Sequence, residues 1–131
     1  MRVAKLYMPL FLSLLVAAHC TKKTQEAPEQ PVIVISTPSP AQHFSDGDSI
    51  HIRGSVMHSL ALTEVAVHMT ETAGNNEFFH NHYLVGTGLS YFQFDAVYKV
   101  PDNKKNTFKV AVEATDKNGT AAKKEFSISI N

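Results

Sequence analysis

From Val32 to Ile130 the chain alternates apolar and polar residues with a period of two, and turn-forming residues interrupt the pattern at short intervals. Only strands send successive side chains to opposite faces, so this pattern excludes a helical domain over that stretch. Ile50, Ile52 and Val56 alternate with His51, Arg53 and Ser55, after an Asp46-Gly47-Asp48 turn. Val65, Val67 and Met69 share one face of the next run, with Glu64, Ala66 and His68 on the other. Glu77 to Leu84 follows through Gly74-Asn75-Asn76, then Tyr91 to Val100, Phe108 to Thr115 and Ala121 to Ile130. With Val32 to Ser36 at the start, these runs predict an all-β antiparallel sandwich of about seven strands over residues 32–131. A hydrophobic fraction of 44% suits one packed core. Phe94, Val110, Val112 and Phe126 are expected at its centre, because each alternates with polar neighbours.

The last two runs (VAVEATDKNGTAAKKEFSISI) are joined by Asp116-Lys117-Asn118-Gly119, where Gly119 is expected to supply a positive φ. This segment resembles the closing strands of bacterial immunoglobulin-like domains, and the opening SPAQHFSDGDSIHIRGSV is similar to the same family. The resemblance implies an immunoglobulin-like β-sandwich. With one cysteine and no tryptophan, the chain departs from antibody-type domains, so packing alone must hold it. Within that family the chain is similar to small lipoprotein domains of Bacteroidota of unknown function. They tend to carry a histidine on the third strand and more in the next hairpin, here His68 (AVHMT) and His80 and His82 (FFHNHYL).

The N-terminus has a different character. Arg2 and Lys5 precede an almost wholly apolar run from Leu6 to Ala18. Those thirteen residues would rise only about 20 Å as a helix, short of a hydrocarbon core of roughly 30 Å. An export signal over residues 1–19 is therefore expected rather than a membrane span. Cys20 follows directly, and Val16-Ala17-Ala18 before it resembles the lipobox of bacterial lipoproteins, with His19 where that pattern has a small residue. The resemblance implies lipidation at Cys20 and anchoring to a bacterial membrane, the outer membrane being expected. Simple cleavage after Ala18 is the alternative. Residues 20–31 then read as the anchored cysteine and a solvated tether.

Three histidines carry the candidate chemistry. An H-x-H pair on a strand places both imidazoles on one face, and the hairpin returns His80 and His82 beside His68. All three share a face if paired residue numbers sum to an even value, and a one-residue slip would separate them. Zinc or copper are the candidate ions for a site formed by His68, His80 and His82. No carboxylate or cysteine stands at a fixed spacing to complete it. His51 is expected on the opposite sheet, and His43 and His58 in loops.

Twelve basic residues balance twelve acidic ones, so no nucleic-acid partner is expected. No G-x-S-x-G, P-loop or H-E-x-x-H motif occurs, and Gly86-Thr87-Gly88 reads as a turn. The expectation is a membrane-anchored, non-catalytic binding module or accessory domain of the cell envelope, with a protein or glycan partner of unknown identity. The alternatives are a purely structural envelope lipoprotein or a secreted enzyme. An outward aromatic patch of Phe78, Phe79, Tyr83 and Tyr91 would favour a binding module.

Overall fold

The computed structural model describes residues 29–131. The export signal and Cys20 lie outside these described residues. Eight strands follow in order: β1 (Val32–Thr37), β2 (His43–Phe44), β3 (Ser49–Met57), β4 (Leu62–Glu71), β5 (Glu77–Leu84), β6 (Tyr91–Lys99), β7 (Asn106–Asp116) and β8 (Ala121–Ile130). They form a three-stranded sheet, β1-β3-β6, and a five-stranded sheet, β2-β8-β7-β4-β5. The result is the all-β sandwich that the alternation requires, with no helix among the described residues.

Two details differ from the reading of about seven strands. An eighth strand, β2, is only two residues long and pairs in parallel with Ser129 and Ile130 of β8. It is too short to show an alternation, so its pairing comes from tertiary contact rather than local pattern. His43 accordingly belongs to a strand and not a loop, with its Nδ1 close to Ser129 Oγ.

The interior is built from the apolar faces of both sheets. Ile50 and Ile52 from β3 meet Val65, Val67, Phe108 and Val110 from β4 and β7, all fully buried. Val112 and Phe94 are buried as expected, but Phe126 is only half-buried. Phe126 lies on β8, whose outer neighbour β2 reaches only Ser129 and Ile130, so its flank stays open. Phe108 takes the central aromatic place.

The β7–β8 turn behaves as its sequence implies. Gly119 has φ 80°, and its amide donates to the Asp116 carbonyl at 3.0 Å.

Candidate functional site

The β4–β5 hairpin positions the histidines. Its register pairs His68 with His80 and Ala66 with His82, so the paired numbers sum to an even value. His68, His80 and His82 therefore share the outer face of the five-stranded sheet. The His68 and His80 rings face each other with centroids 4.4 Å apart, and the His82 ring lies 6.2 Å from that of His80. His68 also pairs with Ala111 of β7, whose small side chain leaves room for the imidazole.

A β-bulge supplies the carboxylate that no spacing in the sequence announces. Met69 pairs with Phe79, but the next residue, Thr70, pairs with Glu77, leaving Phe78 as the extra residue of β5. Phe78 and Phe79 both turn inward. The Phe78 ring packs 4.9 Å from Phe108 and 5.2 Å from Tyr98, and Phe79 lies 5.6 Å from Tyr98. In an unbroken strand Glu77 would share the inner face with Phe79. The bulge returns it to the outer face beside the histidines. The adjacent pair Phe78-Phe79 was the one signal of this, since two consecutive apolar residues break a strict alternation.

Nδ1 of His68 donates to Oε2 of Glu77 at 2.9 Å, and Nδ1 of His80 lies 3.3 Å from Oε1 of the same carboxylate. One ligand atom from each of His68, Glu77 and His80 falls within 4.8 Å of the others. His68 is 19% exposed at its side chain, whereas Glu77 and His80 are about half exposed, so the group is anchored on one side and open on the other. His82 stands apart from this tight group, with its Nε2 3.0 Å from Oε1 of Glu64. Glu77 thus takes the third position that the sequence reading gave to His82, because it is brought closer by the bulge.

The rest of this face is electrostatically satisfied. Lys123 lies 3.0 Å from Glu113 and 2.9 Å from Glu125, and Lys109 approaches Glu125 at 3.6 Å. Among the described residues, the ion-pair partners of Glu64 and Glu77 are histidines.

His51 lies on β3 in the other sheet, where its Nδ1 is 3.2 Å from Asp95, and Asp95 also accepts from Arg53 at 2.8 Å. The Arg53 hydrogen bond holds the Asp95 carboxyl below its ordinary value. A groove of about 420 Å³ crosses this sheet, lined in part by Val34, Arg53, Gly54 and Asp95. Val32, Met57 and Tyr91 form an exposed cross-strand row nearby. The outward aromatic patch does not form: Phe78, Phe79 and Tyr83 are half-buried against the core, and only Tyr91 is exposed.

His58 lies in the β3–β4 connection, as expected, yet its side chain is fully buried. Nε2 of His58 donates to Oδ2 of Asp116 at 3.0 Å, while Oδ1 accepts from the amides of Asn118 and Thr120 at 2.8 Å. Burial pushes the Asp116 carboxyl up, but the Thr120, Asn118 and His58 hydrogen bonds outweigh it and hold the group below its ordinary value. The pair ties the β3–β4 connection to the β7–β8 turn. Its sequence separation of 58 residues explains why no local pattern revealed it.

Residues 18–131 match the model of DUF4625, a domain of unknown function. The chain belongs to this family. No curated protein sequence matches it. Among solved structures it is similar to a Niemann-Pick type C2 protein from Japanese carpenter ant, at 10% identity and a TM-score of 0.48. That match covers 78% of this chain and 92% of the other.

Proposed function

We propose that this protein is a non-catalytic, membrane-anchored module of the bacterial cell envelope that binds a divalent transition metal through His68, Glu77 and His80. The observation that supports it is the convergence of two imidazoles and one carboxylate on an exposed sheet face, with ligand atoms within 4.8 Å of one another. Metal–ligand bonds of about 2.0–2.2 Å in a tetrahedral site separate neighbouring ligand atoms by about 3.4 Å. The two imidazole-to-carboxylate distances, 2.9 and 3.3 Å, need little change to meet that requirement. The neutral rings then carry their proton on Nε2 and offer Nδ1 to the ion. Two nitrogens and one oxygen suit zinc or copper(II), and three protein ligands leave a position open.

Calorimetric titration of the tag-free protein with zinc and with copper(II) tests this reading. One ion per chain is expected. Loss of a direct ligand in His68→Ala or Glu77→Gln should weaken binding by at least the roughly 10–100-fold that even an outer partner of a ligand costs. Unchanged binding in the His68→Ala/His80→Ala double variant would place the metal elsewhere. No binding by the wild type at micromolar concentrations would remove the metal and leave the exposed Val32–Met57–Tyr91 row to a protein or glycan partner.

Anchoring rests on Cys20 and the apolar run before it. Two or three acyl chains there hold a protein stably on a bilayer, since each buried methylene contributes about 0.8 kcal/mol. Cys20→Ala is expected to move the protein from the membrane fraction to the soluble one. Wild-type protein that takes up no radiolabelled palmitate would reduce the N-terminus to a simple secretion signal.

A further inference from the structure

The His68–Glu77–His80 group sits beside a sheet edge that is open among the described residues. β5 is the outermost strand of the five-stranded sheet, and among the described residues β4 is its one partner there. The Val85 amide donates to the Thr63 carbonyl of the β4 side at 3.0 Å. Inward- and outward-pointing backbone groups alternate along an antiparallel strand, so Tyr83 and Asn81 likewise turn their amides toward β4. His80, His82 and Leu84 then present theirs to the open edge. Natural edge strands are commonly blunted by lysine or proline. β5 (EFFHNHYL) contains neither, its bulge is confined to Phe78 near its start, and Leu84 at its other end is 80% exposed.

We propose that a second copy of this chain pairs antiparallel along β5, and that His82 of the second copy fills the open coordination position of the His68–Glu77–His80 metal. This inference rests on the metal reading above. The H-x-H spacing is what makes the edge self-complementary. A two-fold axis beside Asn81 places His80 of one copy opposite His82 of the other, both on the outer face, since directly opposed residues share a face. The parity is also correct, because His80 and His82 both offer outward backbone groups. Each copy contributes His82 to the other's site, giving two metals per dimer. The contact released is the one between His82 and Glu64.

The same geometry makes the pairing depend on metal. Glu64 and Glu77 of both copies would gather on one face, and the accumulated negative charge disfavours pairing without metal. Two divalent ions offset those carboxylates.

Sedimentation velocity of the tag-free protein, without metal and with one equivalent of zinc, decides the matter alongside calorimetry. A monomer without metal, a dimer with zinc, and a return to monomer on adding EDTA are expected. His82→Ala should still bind zinc, about tenfold or more weakly, and remain monomeric. Leu84→Pro keeps every ligand and removes one outward amide, a substitution that edge strands tolerate. It should bind zinc and remain monomeric, with its circular dichroism spectrum unchanged. Wild-type protein that binds zinc yet stays monomeric would overturn the dimer and leave the metal site standing. Absence of zinc binding would overturn both. A dimer that forms without metal, or a zinc-linked dimer that persists in His82→Ala, would also overturn the bridge.

Discussion

Phe108→Ala is expected to lower the stability of the domain by about 3–5 kcal/mol, the range for removing a buried phenylalanine ring. Phe108 is fully buried, and the Phe78 ring packs edge-on against it at 4.9 Å. Removing it would open a cavity between β7 and the bulged start of β5, where the strand ladder limits relaxation. For a domain of this size, 1 kcal/mol corresponds to about 4–8 °C, so the melting temperature should fall by at least about 12 °C. Phe126→Ala should cost clearly less, because Phe126 already meets solvent beside the two-residue β2. Thermal unfolding followed by circular dichroism compares the two variants directly. Equal losses would mean that β8 is covered at Phe126, contrary to the sheet order described above.

The second large effect is expected at Gly54, in the middle of β3. A Cβ atom there would lie 2.2 Å from the Val34 carbonyl oxygen and 2.7 Å from the tip of the Phe94 ring. The ring could swing aside, but the carbonyl belongs to the backbone of β1. The β1–β3 register shifts at this point, with Ile35 paired to Gly54 and Thr37 to Arg53, leaving Ser36 as the extra residue. The bulge carries the β1 backbone into space that a side chain would occupy, and glycine in a strand marks such an approach. Gly54→Ala should therefore cost at the upper end of the roughly 1–3 kcal/mol typical of overpacking, or more. Hydrogen exchange should show β1 amides losing protection first. A variant that melts like the wild type, with β1 protected, would contradict the close crossing.

Much of this arrangement was legible in the chain. Val65, Val67 and Met69 face inward because alternate residues of a strand must leave on opposite sides, and only one side of β4 meets the other sheet. The same rule put His68, Glu64 and Ala66 outward, and the Gly74-Asn75-Asn76 turn indicated which strand would come to lie beside them. His80 and His82 then had to share a face, because they are two residues apart. Even Gly119 was assignable, since its turn needs a φ that other residues adopt at a cost.

What could not be read is where the period breaks. The bulge at Phe78 brings Glu77 to the histidines, and the bulge at Ser36 lays β1 over Gly54. Each adds a residue to one strand without a partner on the other, so it depends on the side chains of a second strand and a facing sheet. Phe78 turns inward because Phe108 and Tyr98 offer it a packed apolar surface, from strands distant in the chain. The His58–Asp116 pair and the short β2 have the same origin, as their partners lie far away in sequence. By itself the sequence determined the seven longer strands, most of their inward faces and the histidine-bearing hairpin, because these follow from backbone geometry and local turn chemistry. Only the tertiary structure decided that Glu77 rather than His82 joins His68 and His80, because a one-residue register shift depends on long-range packing that no local pattern records.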